Sequence, residues 1–82
     1  MTIQEAKEVI VKYGLYEHYK KHKLYVVFDI AQNVETDEAI VVYETAEVPH
    51  SVYVSSASSW CEEVAPGIKR FSLIRRMFTR HD

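Results

Sequence analysis

The sequence predicts a small, mostly β domain of the α+β class, fronted by one amphipathic helix. Three observations carry that expectation. Apolar residues recur at helical spacing at the start of the chain. After Gly14 the apolar period drops from about 3.6 to about 2 and stays there through several runs rich in Val, Ile, Tyr and Phe. Eighty-two residues with one cysteine make a single domain, 1–82, with no internal disulfide.

Thr2-Ile3-Gln4-Glu5 reads as a capping box, in which Thr2 accepts from the backbone three residues on and Glu5 reaches back. Ile3, Ala6, Val9, Ile10 and Tyr13 follow as one apolar stripe, and Gly14 is expected to close the helix in a left-handed conformation. This places a helix over 2–13, too short to stand without a surface to dock on. "LYEHYK" and "KLYVVFDIAQNVE" read as two strands, and "ETDE" at 35–38 as a polar turn. "AIVVYETAE" is the returning strand, Pro49-His50 a turn, and "SVYVS" a further strand. "SASSWCEEV" reads as one or two helical turns broken by Pro66-Gly67, and "KRFSLI" as the last strand. A basic tail, 75–82, completes the chain. Five short strands with a helical turn before the last one suggest a small SH3-like antiparallel barrel over 15–74, an analogy of architecture that carries no function.

The N-terminus has no long apolar run and no cleavage site, no stretch is apolar enough to span a membrane, and the lone Cys61 fits a reducing compartment. The expectation is a cytoplasmic protein. The net charge of −2 hides an asymmetry. No Lys or Arg lies between Leu24 and Ile68, where Asp29, Glu35, Asp37, Glu38, Glu44, Glu47, Glu62 and Glu63 fall. If the two ends meet in space, one side is basic and steers anions.

Several motifs resemble a small bacterial family, domain of unknown function sixteen fifty-three. They are "HYK" at 18–20, "YVV" at 25–27, Ala31, Glu35-Thr36, Glu38 and "VVY" at 41–43. The resemblance runs from Leu15 to Ile74. Tyr53 falls where the family has tryptophan and Trp60 where it has phenylalanine, while Val64 and Arg70-Phe71 match it directly. The chain departs from it at Lys21 (glycine in the family), Glu47-Val48 (Tyr-Gly) and Ser55-Ser56 (Arg-Pro), and it has one extra residue before Tyr25. The resemblance implies a compact barrel with a shared framework, and a buried Glu35 partnered by Lys20 or Arg70. It implies no reaction.

Chemistry is concentrated in "EHYKKHK". On a strand, Tyr16, His18 and Lys20 share a face, which suits an anion or nucleotide: a stacking plane, a donor and a point charge. The plainer reading is that Tyr16 packs, His18 bonds to backbone and Lys20 is solvated. His18 and His22 lack the further ligands that a metal needs. Cys61 sits beside Glu62 and Glu63, which raise a thiol pKa, so it reads as a half-buried cysteine and no nucleophile. Glu35, Asp37 and Glu38 read as turn-formers. No cofactor, metal or catalytic residue is expected, and the chain is expected not to be an enzyme. The expectation is a binding module that holds a small anionic or nucleotide-like ligand, or a partner protein, near Tyr16, His18, Lys20, Glu35, Tyr43 and Tyr53. One alternative is RNA or single-stranded nucleic acid bound through Arg75, Arg76 and Arg80. Another, from size alone, is a phage or mobile-element accessory protein that sequesters a ligand or covers a host protein. Val52 and Val54 on a late strand leave an edge for a second copy, so both monomer and homodimer are open.

Overall fold

The structure, a computed structural model, describes residues 1–77. The order is α1 (Ile3–Val9), β1 (Gly14–His18), β2 (Leu24–Gln32), β3 (Ala39–Thr45), β4 (Val52–Ser56), α2 (Ala57–Trp60), β5 (Glu63–Ala65), β6 (Ile68–Lys69) and β7 (Phe71–Arg76). The capping box forms as the sequence predicts, with Glu5 N–H donating to Thr2 Oγ1 (3.1 Å) and Thr2 N–H to Glu5 Oε1 (2.9 Å). Those bonds hold the Glu5 carboxyl below its ordinary pKa.

The helix stops at Val9, four residues before the expected Tyr13 end. Val9, Ile10 and Val11 are β-branched and poor helix formers. The backbone beyond them also has better partners. Val11 N–H donates to the Tyr16 hydroxyl (3.0 Å) and Tyr13 N–H to the Val27 carbonyl (2.6 Å). Gly14 is not the helix cap. Tyr13 takes the left-handed conformation (φ 64°), and Gly14 opens β1. Glycine is needed at 14 for space: a Cβ there would lie 2.9 Å from Leu73 Cδ1, Tyr16 Cε1 and the Val11 carbonyl.

Five strands form one antiparallel sheet in the order β4-β3-β2-β1-β7, and β5 and β6 form a separate hairpin. The expected SH3-like barrel does not close. Among the described residues β4 pairs only with β3, and β7 only with β1, so the two edges never meet. The chain leaves edge β4, crosses one face of the sheet as α2 and the β5–β6 hairpin, and returns at the opposite edge as β7. That crossing, with α1, covers one face of an open sheet where a barrel would have used further strands. The helical run expected over 56–64 is a single turn at Ala57–Trp60. Glu63 onward is strand, and Pro66-Gly67 turns the hairpin with Gly67 at φ 76°. The last strand takes in Arg75 and Arg76 from the expected tail, while Arg80 lies outside the described residues.

The core lies between the covered face and the two helices. Trp60, 1% exposed, stacks on Phe71 with ring centroids 3.7 Å apart and planes within 6°. Tyr16 meets Trp60 edge-on at 5.2 Å and Tyr43 packs on it at 4.7 Å. Ala6 and Ile10 of α1, with Val27 and Val41 of the central strands, complete this apolar cluster. The Trp60 Nε1–H is buried and finds no acceptor among the described residues.

Replacing Gly14 with alanine should destabilise the fold by about 1–3 kcal/mol, as overpacking does. Equilibrium urea unfolding checks this. An unchanged or raised midpoint would refute the close-approach account.

Candidate functional site

Sheet register builds one site at the open end of the covered face. Tyr25 stands opposite Thr45, Val27 opposite Tyr43, and Tyr43 opposite Tyr53. Paired residues share a face, so Tyr25, Tyr43, Thr45 and Tyr53 all point to the same side of the sheet. The rings are close: Tyr25 meets Tyr43 edge-on at 5.4 Å, and Tyr43 lies 5.8 Å from Tyr53. The β1–β2 turn brings Lys21 and Lys23 over this group. Together Lys21, Lys23, Tyr25, Tyr43, Thr45 and Tyr53 line a hollow of about 220 Å³ with no carboxylate in its wall. A second hollow of about 220 Å³ shares Lys23, Thr45 and Tyr53 and continues under the β3–β4 loop, where Glu47 joins the lining. Burial, then the neighbouring Tyr25 and Tyr53, push the Tyr43 hydroxyl above its ordinary pKa. It therefore remains a hydrogen-bond donor across the neutral range.

His18 holds the lysine turn in place. Its Nδ1 accepts the backbone N–H groups of Lys20 and Lys21, each at 3.2 Å. His22 N–H donates to the His18 carbonyl (2.9 Å), and His22 sits at φ 56° to close the turn. The imidazole is stacked on Tyr19 and edge-on to Phe71, each at 5.1 Å. Partial burial lowers its pKa first, followed by the charges of Lys21, Arg70, Lys20 and His22. A ring accepting two N–H bonds at Nδ1 is neutral, with its remaining proton on Nε2.

The six ligand-binding residues expected from sequence do not converge. Tyr43 and Tyr53 share the hollow. Tyr16 is buried under Trp60 with its hydroxyl on Val11 N–H. Lys20 is exposed in the turn that His18 braces. Glu35 lies at the far end of β2, in the β2–β3 turn. It is neither buried nor held by Arg70, as the resemblance implied; it is exposed, and its N–H donates to Asn33 Oδ1 (2.9 Å). Arg70 is taken by the Glu62 carboxylate and the Ser59 carbonyl. Lys21, Lys23, Tyr25 and Thr45 were missed in sequence. Pairing "LYEH" with "LYVV" across the lysine turn is the signal that would have found Lys21, Lys23 and Tyr25, and Thr45 follows from the register of β2 with β3.

A further hollow, of about 460 Å³, lies between α1 and the sheet. Lys7, Lys12 and Arg76 meet there, so the basic ends of the chain do come together, but Glu8 and Asp29 line it too and Lys12 already pairs with Asp29 at 3.7 Å. An anion there would compete with carboxylates already in place. Arg75 and Arg76 are successive strand residues, which leave the sheet on opposite faces. Cys61 is half-buried beside Trp60, and burial raises its thiol pKa. No helix among the described residues is long and apolar enough to cross a membrane.

The chain belongs to the family described as protein of unknown function, DUF1653, whose match spans residues 14–73. No curated protein and no solved structure matches it. The match covers the whole five-stranded sheet except its last residues, together with α2 and the β5–β6 hairpin.

The lowered His18 pKa makes the lysine turn sensitive to pH. The unfolded imidazole titrates near its ordinary 6.5 and the folded one lower, so the unfolded chain takes up the proton first as pH falls. The His18 contribution is whole above about 6.5 and is lost as pH drops through that value towards the folded pKa. His18→Asn, which keeps an acceptor that does not titrate, should flatten this part of the pH dependence of the urea midpoint. A pH profile identical to that of the unmodified chain would refute the assignment.

Proposed function

We propose that the protein is a non-catalytic binding module whose tyrosine–lysine hollow holds a small anionic, nucleotide-like ligand. The observation that carries this reading is the convergence of Lys21 and Lys23 on Tyr25, Tyr43 and Tyr53 with no carboxylate in the wall. Ammonium groups and a protonated tyrosine hydroxyl are all donors, which suits an anion. Tyr53 is 47% exposed and offers a ring face on which a base can stack. The hollow shares Lys23, Thr45 and Tyr53 with the second one of about 220 Å³, and a ligand the size of a mononucleotide would need to occupy both.

The non-catalytic part of the reading rests on the state of the reactive groups. His18 spends Nδ1 on two backbone bonds, and the Cys61 thiol, its pKa raised by burial, caps the end of α2 and does not line this hollow. These two features support the non-catalytic reading.

Thermal unfolding against mononucleotides, cyclic nucleotides and short oligonucleotides at low and high salt tests the proposal. A ligand at about a hundred times its Kd adds roughly 2.7 kcal/mol, a rise of roughly 10 °C or more in a domain this small. Lys23→Ala and Tyr53→Ala should each abolish the rise and leave the ligand-free Tm close to that of the unmodified chain. A response to oligonucleotides alone that collapses with salt would favour the nucleic-acid reading. No response to any of these compounds would overturn the small-anion reading.

A further inference from the structure

The two edges of the sheet are built differently. At the β7 edge, Arg75 and Arg76 lie in the strand, and the pairing with β1 slips at Leu15/Tyr16. Charge and a bulge are two of the devices by which natural sheets keep an edge from pairing with another chain. The β4 edge has neither. Its sequence, Val-Tyr-Val-Ser-Ser, is uncharged, contains no proline and pairs with β3 in unbroken register. Val52, Tyr53 and Val54 are 58%, 47% and 66% exposed, a continuous apolar run on an open edge.

Hydrogen-bond alternation shows which backbone groups are free. Thr45 N–H donates to the Ser51 carbonyl (3.0 Å), so Thr45 and Ser51 form a hydrogen-bonded pair. Antiparallel pairs alternate, and Tyr43–Tyr53 and Val41–Ser55 are therefore the next bonded pairs. The N–H and C=O groups of Val52 and Val54 then point away from β3 into the open edge.

We propose that the chain forms a symmetric dimer by antiparallel pairing of β4 with β4 of a second copy, about a two-fold axis at Tyr53. In that register each Val52 stands opposite the second copy's Val54, and both exchange their free backbone bonds. The two Tyr53 residues meet as a non-hydrogen-bonded pair, the closer kind, on the covered face. The valines continue the apolar outer column begun by Val42, the partner of Val54 in β3. A second copy is the occupant because a two-fold strand pair must be self-complementary. An uncharged strand meets itself without repulsion, whereas β7 would set arginine near arginine. The pairing also joins the two tyrosine–lysine hollows at the axis, so that the second copy's Tyr53 walls each of them. The dimer itself does not depend on any ligand.

Sedimentation equilibrium of the full chain without ligand, from micromolar to sub-millimolar concentration, should give twice the monomer mass. Val54→Lys and Val52→Lys, both at exposed positions, should each give a monomer with an unchanged circular dichroism spectrum. In a Cys61→Ser background, Tyr53→Cys oxidised with diamide should form a disulfide-linked dimer rapidly. A monomer at every concentration overturns the proposal, as does a dimer that survives both lysine substitutions. A dimer that Tyr53→Cys fails to cross-link overturns the register. Because no ligand is present, these outcomes are separate from the fate of the nucleotide-like reading.

Discussion

The stack of Trp60 on Phe71 is the contact on which the rest of the arrangement depends. A single open sheet has two faces, and one of them must be covered before so short a chain has a core. Trp60 is the large side chain that α2 sends into that face, and Phe71 is the first residue of the strand that closes the crossing. Their near-parallel contact ties the departure from one edge of the sheet to the return at the other. Tyr16, Tyr25 and Tyr43 then pack around this pair, so tyrosines make up much of the core wall. A tyrosine brings an apolar body and a polar tip, so the same rings that fill the core on one side present hydroxyls where the covering layer ends.

That dual use explains where the candidate site lies. The covering layer runs across the middle of the face, and the hollow opens beyond it, at the end where β2 begins and β3 finishes. The turn between β1 and β2 is held by a histidine acting as a hydrogen-bond acceptor, and its lysines lie over the tyrosine rings. His18 is thus a positioning residue for Lys20 and Lys21. The opposite end of the sheet is organised by other means. There Asn33 and Thr36 accept backbone N–H groups, Asp37 sits at φ 61°, and Glu35 is one of several acids on a solvated turn. The long β2–β3 pair holds the two ends apart, which is why residues of one family-like block, from "HYK" to "VVY", do not form one site.

Much of this chain was legible in its residues. The capping box, the change of period at Gly14, the places of the first four strands and the family membership all follow from local pattern, whereas of the apolar stripe expected for α1 only Ala6 and Ile10 are buried and Val9 and Tyr13 are exposed. Each depends on neighbours in sequence: a hydroxyl three residues from a carboxylate, or alternation along a strand. Tertiary structure decided the rest. Backbone bonds from Val11 to Tyr16 and from Tyr13 to Val27 ended the helix early, and close packing against Leu73, not backbone conformation, set glycine at 14. The open sheet was not legible because closure depends on which edge the last strand joins, and β7 has no local feature that chooses β1 over β4. The site was half legible for the same reason. Period-2 reading put Tyr16, His18 and Lys20 on one face, but it could not tell that Tyr16 lies beneath Trp60 or that cross-strand register gathers Tyr25, Tyr43 and Tyr53 under Lys21 and Lys23. Sequence by itself determined what each segment is; only pairing and packing across the sheet decided which segments meet.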